Sequence, residues 1–306
     1  MKTVGEHLCR PTLRVGGAYS SARFRRHTVS AYKITSILLL AFLSVAGIAA
    51  GETPTIRVRA QNFTVNPSTG PVTHVVVQNT GDRNISGTLR VQFPDGWKVS
   101  PAERAVELKP GETKKLPFAI EKGADIAANS YPVRIQFGGF DVTQRVVCAS
   151  APYFKPTIDG DLAEWNDSNP ITFLTGGKKT VVRTYWSGKQ FSLAVEVEED
   201  KLTGKRGVEF ALAATEEGKR YEFFVDAAGK CDGVTASVKR DGNITRYEIG
   251  VPFKLMPEMK PEAGREFCFS LTVHDPDGTG PRALGSVMNL WPGQRQFEFG
   301  FCSSIH

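Results

Sequence analysis

The side chains best suited to chemistry in this chain are few in kind and widely spaced. A β-surface that holds a sugar needs flat aromatic faces against ring C–H groups, and planar polar groups for paired hydroxyls. The tryptophans are Trp97, Trp165, Trp186 and Trp291. Trp291, in the loop sequence NLWPG, is the best exposed platform for stacking, and Arg183 offers a two-pronged fork for hydroxyls. Trp97 follows the Asp95-Gly96 turn, where a large ring caps the end of a core. Asp275 and Asp277, in HDPDGTG, form with Asp159 and Asp161 a set of oxygen donors that could hold calcium, although the spacing is not that of an EF-hand and a polar turn is the favoured reading. Glu196 and Glu198 share one strand face, two steps of roughly 3.3 Å apart. That approaches the roughly 5–9 Å between glycosidase carboxylates, but any charged strand edge produces the same spacing, and a solvated edge is the reading taken. No GxSxG, HExxH, P-loop or dinucleotide fingerprint is present. The expectation is a protein that binds and does not catalyse.

The charge balance excludes another class. The chain has 306 residues and a formal net charge of +6, and residues 1–50 hold seven basic groups against one acid. The remainder carries 31 of each sign. The basic pI therefore belongs to the leader, and no nucleic acid partner is expected, because phosphate binding needs a basic excess in the folded part. Arg23, Arg25, Arg26 and Lys33 precede the uncharged run ITSILLLAFLSVAGIAAG at 34–51, which ends in small residues. That order is a secretory signal, with cleavage near Ala49 or Ala50. Membrane anchoring through residues 34–51 is the alternative, since the run is at the lower limit for spanning about 30 Å of hydrocarbon. Either way the rest is expected outside the cytoplasm: secreted, periplasmic or on the cell surface. Cys148, Cys231, Cys268 and Cys302 remain there. An even number in an oxidising compartment permits two disulfides. Cys268 with Cys302 is the favoured pair, both lying on strand-like runs near the C-terminus, and buried thiols are the alternative.

These side chains must be positioned by strands. After residue 52 the pattern is short alternating runs broken by Gly, Pro, Asn and Asp, with almost no helical periodicity, which predicts an all-β protein. Seven runs between Thr55 and Cys148, separated by turns such as NTGD, PDG and PGE, have the rhythm of an immunoglobulin-like sandwich. A Pro-containing linker is expected at Ala149–Pro156. About eight further runs, including FCFSLTVH with its alternating apolar and polar faces, predict a two-sheet jelly roll. The predicted domains are a signal segment at 1–50, an Ig-like β-sandwich at 52–150, and a jelly roll at 151–306.

Two families are resembled. VVVQNTGD, FPDGWKVSP, LKPGETKKLPFAIEKGAD and YPVRIQF, over about 70–137, resemble the Ig-like domain found beside α-galactosidases, and the resemblance implies a spacer without catalysis. PTIDGDLAEW, VVRTYWSGKQFSLAVEVEED, GVEFALA, RYEIGVPF, GREFCFSLTVHDPDGTGPRALG and FEFGF, over about 153–302, resemble the family 9 carbohydrate-binding module. That resemblance implies a polysaccharide or oligosaccharide ligand, no required cofactor, and in some members structural calcium. It makes Trp165 a core residue and Glu209 a retained ligand contact. Trp186, which aligns with a residue that usually packs, is kept as a candidate contact beside Arg183 and Trp291. Family members that bind glucan or xylan clamp a terminal sugar between two tryptophans. Here the first clamp position falls in LTGKRG (202–207), without Trp, and the late loop is only PGQRQ. The alternative is therefore a structural or protein-interaction module that has lost its sugar site. Related jelly rolls can hold haem, but no CxxCH is present, and His274 is read as a hydrogen-bonded strand residue.

Overall fold

The computed structural model describes residues 55–200, 206–215, 217–274, 282–283 and 298–303. The leader at 1–50 lies outside them. The described chain is all-β, as predicted, with short 3-10 turns and no α-helix.

The first sandwich is built from β1 (Ile56–Ala60), β2 (Val72–Asn79), β3 (Ile85–Gln92), β4 (Lys98–Ser100), β5 (Glu103–Leu108), β6 (Thr113–Lys122), β7 (Tyr131–Phe137) and β8 (Phe140–Val146). One sheet has the order β1-β2-β6-β4 and the other β5-β3-β7-β8. Period-two alternation chooses the inward faces: Val75 and Val77 on β2, and Val133, Ile135 and Phe137 on β7, are buried while their neighbours face outward. Trp97 packs at the end of this core, stacked on Phe93 and tilted against Phe63 and Tyr131. The turns are fixed by Asn79, fully buried. Its amide donates to the carbonyls of Arg83 (2.7 Å) and Lys109 (3.1 Å), and its side-chain oxygen accepts from Gly81 N (2.9 Å). One residue thus ties the NTGD turn to the turn after β5.

The second sandwich uses β9 (Ser150–Ala151), β10 (Ile171–Thr175), β11 (Lys178–Trp186), β12 (Gln190–Glu198), β13 (Gly207–Ala213), β14 (Tyr221–Asp226), β15 (Thr235–Asp241), β16 (Ile244–Pro252), β17 (Glu266–His274), β18 (Arg282–Ala283) and β19 (Glu298–Phe301). A sheet of order β10-β11-β12-β16-β15 packs on one of order β14-β13-β17-β19-β9, with β18 paired to β17. Phe191, Leu193 and Val195 from the first sheet meet Phe210, Phe267, Phe269, Phe299 and Phe301 from the second. Each fully buried ring of this kind contributes about 2–3 kcal/mol by removal from water.

The expected linker is hydrogen-bonded along much of its length. Cys148, Ala149, Ser150 and Ala151 are buried. Ala149 N donates to Phe63 O (2.7 Å), Gly300 N to Ala149 O (2.9 Å), Cys302 N to Ala151 O (2.9 Å), Trp186 N to Pro152 O (3.0 Å) and Phe154 N to Trp186 O (2.8 Å). The small side chains that suggest a flexible tether are what let an extended chain thread between elements and pair on both sides. Arg59 reaches across to Glu298 through two N–H groups (2.6 and 3.0 Å), and Gln61 adds a third bond at 2.9 Å. Asn129 donates to Cys148 O (2.9 Å) and Pro170 O (3.1 Å), and Asn169 donates to Asn66 Oδ1 (2.7 Å). Both sandwiches belong to one compact unit.

Candidate functional site

Alternation on β13 turns Val208, Phe210 and Leu212 into the core, which leaves Glu209 on the outer face of its sheet. The register sets Glu209 opposite Phe224 of β14 and Thr272 of β17. His274, one step further along that face of β17, meets Glu209 diagonally, with Nε2 and Oε2 2.6 Å apart. The Phe224 ring stands edge-on to the imidazole at 5.6 Å. Gly207 makes this approach possible: a Cβ there would collide with the Val225 carbonyl oxygen and come within 2.7 Å of the Phe224 ring. The Glu209 and His274 side chains are 37% and 27% exposed. The carboxylate, the imidazole and the half-buried ring together form a polar patch beside an apolar edge. Toward the other end of the face the side chains shrink to Ala211, Ala213 and Cys268, all buried.

The structure does not gather the expected contacts at one place. Arg183 lies on β11 in the opposite sheet, facing away from the core, and donates to Glu196 (Nη1–Oε1 2.8 Å). It cannot share a ligand with Glu209, because the sandwich core lies between them. Trp186 is 6% exposed, its Nε1 donates to Cys302 O (2.8 Å), and Tyr153 covers it edge-on at 4.8 Å. The expectation that Trp186 contacts ligand is corrected: the indole is packed in the core. Trp165 is fully buried, as expected. Trp291, Asp275 and Asp277 lie outside the described residues. Among the described residues no group of three or more His, Cys, Asp or Glu side chains could hold a metal ion.

The expected Cys268–Cys302 disulfide is also corrected. Both are thiols. Cys268 sits opposite Glu298 in the β17–β19 ladder. Cys302 is four residues further on, about 13 Å along a strand, while bridged cysteines have Cα atoms about 4.4–6.8 Å apart. The carboxylates that suggested an acid pair are engaged separately: Glu196 with Arg183 and Arg246, and Glu198 with the backbone of Lys179 and the amide of Asn243.

The sequence reading missed Phe224, and it placed His274 on the polar face of its strand without connecting it to Glu209. The alternation in GVEFALA and FCFSLTVH puts both residues on outer faces. Only the strand register, set by long-range pairing, brings them together.

Two β-sandwiches in series, joined by a segment hydrogen-bonded to both, define the class of this protein. Residues 67–137 match the family described as the NPCBM-associated, NEW3 domain of alpha-galactosidase, which bears out the resemblance seen in the first sandwich. No curated protein matches the chain. Among solved structures, the chain is similar to a family 9 carbohydrate binding module from Caldicellulosiruptor kristjanssonii in complex with glucose, at 16% identity, over 50% of this chain and 95% of that one, with a TM-score of 0.42. It is similar to a family 9 module from the same organism in complex with cellotriose, at 15% identity, over 51% and 93%, with a TM-score of 0.42. It is also similar to the E. coli chaperone DraB, at 12% identity, over 80% and 96%, with a TM-score of 0.25.

Proposed function

We propose that the chain is an exported, non-catalytic protein that binds a carbohydrate chain on the outer face of the β13–β17 sheet. The observation that carries this reading is the half-exposed Glu209–His274 pair flanked by Phe224. Glu209 supplies acceptors for vicinal hydroxyls, His274 holds that carboxylate in place, and Phe224 offers apolar surface. Support comes from the family match of the first sandwich to a domain of alpha-galactosidase, from the sequence resemblance of the second half to family 9 modules, and from the signal-like leader. Trp291 belongs to this proposal as a stacking contact; Arg183 does not, since it faces the opposite side.

Isothermal titration of the full chain against soluble plant, algal and bacterial polysaccharides tests the reading. Binding that weakens at least about tenfold in Glu209→Gln, the loss of about one charged hydrogen bond, is the expected result. No heat from any glycan at about millimolar sugar would overturn it. A second reading, a structural module that has lost its sugar site, is favoured by one observation: Glu209 already has a partner in His274 at 2.6 Å. His274→Ala separates the two. It frees the carboxylate and alters affinity if Glu209 binds sugar, and changes nothing if the face is idle.

A further inference from the structure

The outer face of the other sheet carries a cavity of about 330 Å³, at the small end of the roughly 300–1,000 Å³ of ligand sites. Its floor is three adjacent strands. Arg183 comes from β11, Glu196 from β12 and Arg246 from β16, with Glu196 directly opposite Arg246 in the ladder. Its wall is the segment from Gly160 to Ala163, with Asn166 beyond it. This wall is not free to move. Glu248, fully buried on the same outer face, accepts from Asp159 N (2.9 Å), from Gly160 N and from Trp165 Nε1 (2.6 Å). Gly160 adopts φ +88, a left-handed conformation open to glycine, and the Lys239 stem lies against it. Asp161 accepts from Ala163 N (3.0 Å) and so fixes the start of the short 3-10 turn.

Inside this preorganised concavity the polar groups have more hydrogen-bonding capacity than the protein uses. Arg183 gives Glu196 one N–H at 2.8 Å. Arg246 meets Glu196 only at 3.5 Å and Asp241 only at 3.7 Å. Among the described residues, most of the five N–H donors on each guanidinium therefore lack a protein acceptor, although the Arg183 and Arg246 side chains are only 21% and 29% exposed. The Asn166 amide donates to Ala163 O (3.1 Å), which leaves its carbonyl oxygen as an acceptor. The ionised groups of the lining balance, Arg183 and Arg246 against Glu196 and Asp161, so the cavity has no net charge with which to select an anion. What it offers is alternating donors and acceptors at fixed positions, which matches the vicinal hydroxyls of a neutral sugar ring.

We propose that the Arg183–Glu196–Arg246 cavity is a second ligand site, for a neutral sugar residue held by its hydroxyls without aromatic stacking. It lies on the opposite side of the sandwich from Glu209 and stands independently of the reading given there. NMR titration of the isotope-labelled full chain with methyl β-glucoside and methyl α-galactoside tests it, with sodium glucuronate and sodium sulfate as anionic comparisons. The expected result is saturable shifts of the Gly160, Asp161 and Ala163 amides and the Asn166 side chain with a neutral glycoside, at millimolar affinity. Arg246→Gln and, separately, Asn166→Ala should weaken that binding at least about tenfold and about threefold, while Glu209→Gln leaves the shifts unchanged. Shifts caused by the anions alone would overturn the assignment. So would shifts confined to the Glu209 face, shifts that survive both cavity variants, or no shifts with any probe.

Discussion

The two outer faces of the second sandwich use carboxylates in the same two ways, and the difference lies in how many fixed donors surround each one. On the β12–β16 face, Glu248 is fully buried and takes two backbone N–H groups and an indole N–H from the Asp159–Trp165 segment. On the β13–β17 face, Glu298 is 8% exposed and takes two guanidinium N–H groups from Arg59 and an amide N–H from Gln61. Each has its oxygens saturated by protein and closes a contact. Glu196 and Glu209, on the same two faces, have fewer fixed donors and stay partly open. A carboxylate on a strand is thus structural or available according to the donors that the neighbouring segments bring to it, which its own alternation pattern does not reveal.

Removing a saturated carboxylate is the strongest way to sharpen that contrast. Glu248→Ala leaves three donors without an acceptor, the Gly160 N–H and the Trp165 indole among them buried, and frees the Asp159–Trp165 wall. We expect a loss of about 3–5 kcal/mol in urea unfolding; a loss below about 1 kcal/mol would break the comparison. Burial, outweighing those three bonds, holds the Glu248 carboxyl above its ordinary value. Its folded value exceeds the unfolded one, so this group adds stability as pH falls toward 4.5 and withdraws it as pH rises through its raised value. Arg59→Ala acts on the other face. It strands Glu298 with Gln61 alone, at a cost of about 2–4 kcal/mol. It also loosens the contact between the sandwiches, which calorimetry should show as a split or broadened transition and limited proteolysis as new cleavage between them.

Much of this arrangement was legible beforehand. Alternation gave both sandwiches, and the turn signals gave most boundaries. Short strands such as Lys98–Ser100 and Ile171–Thr175 escaped, because three to five residues carry too little periodicity to register. The Ala149–Pro156 stretch was legible as a linker but its pairing was not, for a physical reason: small residues and prolines suit a loose tether and a buried extended strand equally, and only long-range partners decide. The same holds for the sites. Arg183 and Glu209 were each recognisable as polar groups on strand faces. Their placement on opposite sheets depends on topology, the order β10-β11-β12-β16-β15 against β14-β13-β17-β19-β9, which no local pattern encodes.

An open carboxylate should behave oppositely to a saturated one. Glu209→Gln removes no core contact and leaves no buried donor unmatched, so its unfolding free energy should stay within about 0.5 kcal/mol of the parent while sugar affinity falls. If Glu209→Gln destabilised the fold as much as Arg59→Ala does, Glu209 would join Glu298 as a structural group, and the distinction between the two ends of that face would fail.

The smallest effects are expected at the cysteines, where burial alone separates one site from another. Cys148 lies in the paired segment between the sandwiches, and burial pushes its thiol up to about 12; burial raises Cys302 to about 11. Alkylation needs the thiolate, so at pH 8 iodoacetamide should modify half-buried Cys231 first and Cys148 last in the native protein, with Cys302 between them. The folded state keeps these protons to higher pH than the unfolded chain, whose thiols ionise near 9.0. The unfolded state then binds fewer protons, so stability should decline as pH rises from about 9 toward 12. Peptide mapping without reductant completes the comparison. Four alkylatable thiols at Cys148, Cys231, Cys268 and Cys302 agree with the β17–β19 register, whereas a peptide joining Cys268 to Cys302 would require that ladder to shift by about four residues and would move Glu298 away from Arg59.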